Sequence, residues 1–182
     1  MKYTRLSIPD VILIEPIVFG DNRGFFMETF RQDVFNKNIP HTTFIQVNHS
    51  KSSQGILRGL HYQIKHPQGK MVRVISGKVF DVAVDIRKSS QSFGQWIGTT
   101  LSAENKKMLW VPPGFAHGFY VLSDEAEFTY RCTDYYAPEH ERSILWNDPA
   151  IAIDWPIIPG STPILSEKDE NGLTLETAEV FE

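Results

Sequence analysis

Cysteine is almost absent: Cys132 is the only one among 182 residues. No intrachain disulfide can form, which fits a reducing compartment. Long apolar runs are missing too. No stretch of about 18 uninterrupted apolar residues occurs, so no helical membrane span is expected. The start, "MKYTRLSIPDVILIEP", is basic but lacks the sustained apolar segment and small-residue cleavage site of an export signal. Cytoplasm is therefore the expected location. Positive charge is not in excess. The net charge is −4 and the pI is near 5.9, so bulk electrostatics give no case for a nucleic-acid partner. A phosphate-bearing ligand would need a local cluster of Arg and Lys. Helix signals are few: "RQDVFNKN" suits a short helix around 31–38, and "SAENKK" a single turn near 102–107.

What is present has a period of two. A hydrophobic content of 41% and an aromatic content of 12% suit a packed globule. In "KVFDVAVDI", Phe80, Val82, Val84 and Ile86 alternate with Asp81, Ala83 and Asp85, the pattern of a strand with two unlike faces. Upstream, Val72 and Val74 precede Gly77-Lys78, and a glycine there predicts a type II′ hairpin into the next strand. "FTYRCTDYY" alternates as well. Turn-forming clusters recur at Gly20-Asp21-Asn22, Ser52-Ser53-Gln54-Gly55, Pro67-Gln68-Gly69 and Pro112-Pro113-Gly114. The expectation is one all-β domain over 1–182, a jelly-roll barrel with its core at about 40–146. A few short helices and an irregular C-terminal segment complete it.

Small double-sheet barrels enclose ligand cavities, and two stretches resemble the metal motifs of cupin barrels. Gly55 stands six positions before His61, and Pro112-x-Gly114-x-x-His117 reproduces the outline of the second motif. The ligands themselves are depleted. Gln63 stands where a second histidine belongs, and Lys70 is a cation with no lone pair to give. No metal is expected. A lone His61 in "LRGLHYQ" reads most simply as a satisfied core histidine. However, Arg58, His61, Gln63 and Lys70 within thirteen residues are too many polar groups for an ordinary packed strand. Their convergence predicts a wet, anion-accepting pocket. Strict alternation puts Arg58 and His61 on opposite faces, and Gly59 is the place for a bulge that reunites them.

The runs "VFGDNRGFFMETF", "QVNHSKSSQGILRGLHYQ", "QGKMVRVISGKVFDVAVDIRKSSQSFGQW", "LSAENKKMLWVPPGFAHGFYVLSDEAEFTYRCTDYY" and "LSEKD" resemble the dTDP-4-dehydrorhamnose 3,5-epimerase family, in order, from about residue 3 to about 170. The resemblance implies conversion of dTDP-4-dehydro-6-deoxy-D-glucose to dTDP-4-dehydro-L-rhamnose by inversion of C3 and C5. Both carbons flank the C4 ketone, so the chemistry needs a base, a stabiliser of the enolate oxygen and an acid across the ring. It needs no cofactor. Within the resemblance, His61 is the base, Asp169 orients it, Lys70 stabilises the enolate and Tyr130 is the acid.

Arg23 and Arg58 match diphosphate-binding positions, where planar charged forks suit phosphate oxygens. Phe19, Glu28, Gln46, Asn48, His117, Glu141 and Lys168 match further substrate-binding positions, and Tyr136 matches the aromatic that stacks on thymine. Val47 departs from the family's usual Asp in "QDNHS". A homodimer is implied, with Arg23 and Glu28 reaching the neighbouring subunit's site. Three other readings share many of these residues: a single-carbon epimerase on a related dTDP-4-keto sugar, a metal-dependent cupin enzyme and a non-catalytic sugar-nucleotide binding module.

Overall fold

The computed structural model describes all residues 1–182. Thirteen strands and two short α-helices follow in the order β1 (Lys2–Arg5), β2 (Ile12–Glu15), β3 (Val18–Asp21), β4 (Gly24–Met27), α1 (Gln32–Asn38), β5 (Gln46–Ser53), β6 (Leu57–Gln63), β7 (Lys70–Ser76), β8 (Lys78–Asp85), β9 (Trp96–Ser102), β10 (Met108–Val111), β11 (Phe115–Val121), β12 (Glu125–Cys132), β13 (Glu141–Ser143) and α2 (Glu167–Glu170). One sheet runs β1-β2-β10-β7-β12-β5 and the facing sheet β13-β6-β11-β8-β9, while β3 and β4 form a separate hairpin. The two main sheets pack as an all-β, barrel-like sandwich.

Both faces of the smaller sheet are covered, and this decides where the polar residues go. Val79, Ala83, Phe115 and Phe119 from that sheet meet Val72, Val74, Leu109 and Phe128 from the other in the inter-sheet core. The opposite parity of β8, namely Val82 and Val84, faces outward with Ile86 onto a second core. There Ile144, Ile151, Trp155 and Val180 of the C-terminal part lie over it. Asp81 and Asp85 therefore point into the sandwich rather than to water, and both are fully buried. The C-terminal cover is pinned by Asp148, whose carboxylate accepts from the backbone N–H of Ala150 (2.7 Å) and of Leu175 (2.6 Å). On the larger sheet α1 closes the outer face through Phe35, its one buried residue, packed edge-on against Trp110 and Phe44. A seven-residue helix is marginal by itself, so this contact, with about 1.5–3 kcal/mol from burying one large side chain, holds it in place.

One local expectation needs correction. Gly77-Lys78 does not close a hairpin: β7 bonds to β10 and β12, whereas β8 bonds to β9 and β11. The chain crosses between sheets here. Gly77 takes φ +75°, and a Cβ would sit 2.0 Å from the Glu125 carbonyl oxygen, so the corner admits only glycine. "SAENKK" forms the single turn expected there, held because Ser102 and Asn105 each accept the other's backbone N–H on their side chains.

Away from any cavity mouth, Asp85 holds a buried network. Its carboxylate accepts from Arg87 Nε (2.8 Å) and Nη2 (2.7 Å), and from the hydroxyls of Ser90 and Ser92 (2.6 Å each). Burial opposes its ionisation, but these donors prevail and bring its pKa down to about 2. Because the folded value lies below the ordinary 3.8, the carboxylate contributes stability that is fully present above pH 3.8 and is lost as pH falls toward 2. The contribution is about 2 kcal/mol. Asp85→Asn should lose it at neutral pH and flatten the acid limb of a denaturant-midpoint-versus-pH curve. An unchanged acid limb would count against this network.

Candidate active site

Bulges and strand parity gather the polar residues in one place. On β5, Gln46, Asn48, Ser50 and Ser52 lie on one parity, turned inward, while Val47 lies on the other and is 61% exposed. The departure at Val47 therefore falls outside the pocket. On β6 the pairing with β11 runs His117↔His61 and then Phe119↔Arg58, three steps on β6 against two on β11. That extra residue reverses the parity, so Arg58 and His61 face the same way. Gly59 sits at the irregularity with φ +132°. A Cβ there would lie 2.5 Å from Gly118 Cα and 2.9 Å from the His117 carbonyl oxygen. The bulge expected at Gly59 is present, and close approach of β11 explains the glycine.

The result is a cavity of about 330 Å³. Its walls include Gln46, Asn48, Arg58, His61, Lys70, His117, Tyr130, Tyr136, Glu141 and Lys168. Asp169 stands behind His61, its carboxylate Oδ1 2.5 Å from the ring Nε2. The other oxygen, Oδ2, accepts from Ser166 Oγ at 2.6 Å, and Oδ1 also accepts from the Gly59 N–H at 3.2 Å. Burial opposes ionisation of Asp169, yet the His61, Ser166 and Gly59 donors hold its pKa at about 2. His61 itself is pushed below the ordinary imidazole value by burial, with Lys168 and Lys70 adding to the effect and Asp169 opposing it. The ring is thus neutral at pH 7. Its Nε2–H is committed to Asp169, and Nδ1 carries the free lone pair.

Lys70 and Tyr130 complete the interior. Lys70 opens β7 directly opposite Cys132 of β12. Burial lowers its pKa, and Cys132, Glu141 and Asp81 pull the other way through space without hydrogen-bonding it. A cation held without an internal ion-pair partner is free to serve an incoming oxygen anion. Burial raises the Tyr130 phenol above its ordinary value, so it stays protonated and can donate. At the rim, Tyr136 donates its backbone N–H to Gln46 Oε1 (2.9 Å) and its hydroxyl to Glu141 Oε2 (3.0 Å). Burial would raise the Glu141 pKa, but Lys168, 2.9 Å from its other oxygen, holds it below the usual range.

Three of the expected residues lie elsewhere. Phe19 and Arg23 belong to the β3–β4 hairpin, with Arg23 paired to Asp21, and Glu28 follows it on the surface. None of them lines the cavity. Sequence reasoning in turn missed four supporting residues. Asp81 receives His117 Nε2 at 3.0 Å from each carboxylate oxygen, and its place on the polar parity of β8 was the available signal. Ser52 accepts from Arg58 Nε at 2.9 Å and continues the inward row of Gln46 and Asn48. Phe128 stacks on His117 from the β12 parity it shares with Tyr130. Ser166 caps α2, and the spacing Ser166-x-x-Asp169 is an N-cap signature in the sequence. Nowhere do three His, Cys, Asp or Glu side chains converge as metal ligands would.

The family model for dTDP-4-dehydrorhamnose 3,5-epimerase matches residues 5–177. The chain belongs to this family. A dTDP-4-dehydrorhamnose 3,5-epimerase of Pseudomonas aeruginosa is 59% identical over 182 residues, covering 100% of this chain and 99% of its relative. A Legionella pneumophila dTDP-6-deoxy-D-glucose-3,5-epimerase, solved in complex with dTDP-4-keto-L-rhamnose, superposes with a TM-score of 0.95 at 50% identity. That match covers 98% of this chain and 94% of the other. A 3′-monoepimerase of Streptomyces bikiniensis, in complex with dTDP-quinovose, has a TM-score of 0.88 at 37% identity, with 94% and 87% coverage. The epimerase fold therefore serves both double and single inversions, and the higher identities here fall on the double. No helix of this family member is long and apolar enough to cross a membrane.

Proposed function

We propose that this epimerase inverts C3 and C5 of dTDP-4-dehydro-6-deoxy-D-glucose by proton transfer alone, with no metal or redox cofactor. The observation that carries the reading is the His61–Asp169 pair set against a cavity that also holds Lys70 and Tyr130. His61 Nδ1 takes the proton next to the C4 ketone, and Asp169 steadies the imidazolium through Nε2. Lys70 holds the enolate oxygen. Tyr130 returns a proton from the opposite face of the ring, and repetition at the second carbon completes the reaction. Arg58, fixed by Ser52, binds the diphosphate, and Gln46, Asn48, His117, Glu141 and Lys168 contact the substrate elsewhere.

Tyr136, 53% exposed at the mouth, stacks on thymine, where about 1–3 kcal/mol per base is typical. Tyr136→Ala should therefore weaken dTDP binding by roughly 5- to 100-fold in calorimetry while kcat changes little. Unchanged affinity would remove the stacking role. The whole chain, 1–182, works as one domain in the cytoplasm and as a homodimer. The β3–β4 hairpin supports the dimer: Phe19, Phe25 and Phe26 are each more than half exposed, and Arg23 and Glu28 stay outside their own cavity. They serve the partner's site.

A single-carbon epimerase is the second reading, favoured by the likeness to the Streptomyces bikiniensis enzyme. Product identification by proton NMR separates the two. The doubly inverted sugar is expected from dTDP-4-dehydro-6-deoxy-D-glucose, whereas a product inverted at one carbon would establish the alternative.

A further inference from the structure

Gln63 stands where a metal-binding cupin would keep its second histidine, and the chemistry proposed above gives it no task. It closes β6 two positions after His61, on the same parity, and is only 4% exposed. Its side chain makes three hydrogen bonds. Nε2 donates to the carbonyl oxygens of His66 (2.7 Å) and Tyr135 (3.2 Å), and Oε1 accepts from the Ala137 N–H (2.9 Å). Two carbonyls at one end and an N–H at the other leave the amide a single orientation. Two of the bonds therefore fall on the immediate neighbours of Tyr136, one on each side.

This stretch needs such support. None of the N–H groups of Asp134, Tyr135, Tyr136 and Ala137 donates to a backbone carbonyl. Glutamine side chains supply bonds instead. Gln68 Nε2 donates to the Asp134 carbonyl oxygen at 2.9 Å, and Gln46 Oε1 accepts from the Tyr136 N–H. Gln63, the most deeply buried of the three, bonds to both sides of Tyr136. The tyrosine itself finds little packing, being 53% exposed. A stacking platform on an unfixed backbone would have to be ordered each time a base bound, at a cost in affinity.

We propose that Gln63 is a positioning residue for the nucleotide: it fixes the backbone on either side of Tyr136 so that the phenol ring is already set for the thymine. This inference rests on the stacking role assigned to Tyr136. Gln63 also borders the main cavity, but both of its amide N–H groups are committed to the protein. It has no donor left for a bound sugar or diphosphate.

A double-mutant cycle read by dTDP calorimetry tests it. Gln63→Met removes all three bonds at similar volume. Gln63→Glu keeps the acceptor for Ala137 and loses both donors, and it carries the cycle if Gln63→Met does not fold. Each is made in the unmodified enzyme and in Tyr136→Ala. In the unmodified enzyme the loss of dTDP affinity should be about 5- to 20-fold, part of what stacking on a base supplies. With Tyr136 already replaced by alanine, the further loss should be less than about 2-fold, because residues that act through one another lose their effects together. An equal loss in both backgrounds would mean that Gln63 meets the ligand directly or only supports the fold, and would overturn the proposal. Undiminished affinity in the Gln63 variants would overturn it as well. If Tyr136→Ala alone left the affinity unchanged, the stacking role beneath the proposal would fall instead.

Discussion

His61→Asn should lower kcat by about 10²- to 10⁴-fold, the usual contribution of a positioned general base, while dTDP affinity stays within an order of magnitude of the original. The side chain keeps a polar, similarly shaped group against Asp169 but has no basic nitrogen to offer. The pH profile supplies a second readout. The active form needs neutral His61, whose pKa burial pushes below 6.5, and protonated Tyr130, whose pKa burial pushes above 10. The rate should therefore rise with pH through a value below 6.5 and fall on the alkaline side as Lys70, whose pKa burial pushes below 10.5, and then Tyr130 lose their protons. In His61→Asn the acid limb should vanish from the residual rate. A variant that keeps both the full rate and the acid limb would remove His61 as the base.

Lys70→Met should act on activity and stability with opposite signs. The ammonium is the cation placed where the enolate oxygen forms, and a donor of that kind is worth roughly 3–4 kcal/mol in the transition state, or about 10²- to 10³-fold in kcat. In the free protein the same charge is desolvated without a hydrogen-bonding side-chain partner, an arrangement that costs folding energy. Methionine fills a similar volume with no charge to desolvate. Thermal denaturation should show a higher melting temperature, and kinetics a lower kcat. Loss of stability with an unchanged kcat would mean that Lys70 is structural.

Parts of this arrangement were legible in the sequence because they are local. The alternation in "KVFDVAVDI" marks β8, and "RQDVFNKN" marks α1 to within a residue. The glycine in "LRGLHYQ" announces the bulge that turns Arg58 and His61 to one side. Other parts depend on contacts that no local pattern encodes. Gly77 carries the signature of a tight turn, but partner choice by β7 and β8 is a long-range matter, and each strand pairs elsewhere. The alternation of β8 did not say which face is inward, because the C-terminal segment covers the face that would otherwise meet water. His61 and Asp169 are 108 positions apart. Only family resemblance linked them before the fold did, although the cap at Ser166 marked the local turn that presents the carboxylate. Phe19, Arg23 and Glu28 read as site residues by resemblance and sit on or just after a hairpin outside the cavity; their role rests on the homodimer proposed above.

The central claim is proton exchange at two carbons with no metal involved. Its most direct test is NMR of dTDP-4-dehydro-6-deoxy-D-glucose incubated with the unmodified enzyme in D2O containing excess chelator. Deuterium at both C3 and C5, at a rate the chelator does not change, is the predicted result. Label at one carbon alone, or exchange that stops with chelator and returns with a divalent metal, would contradict it.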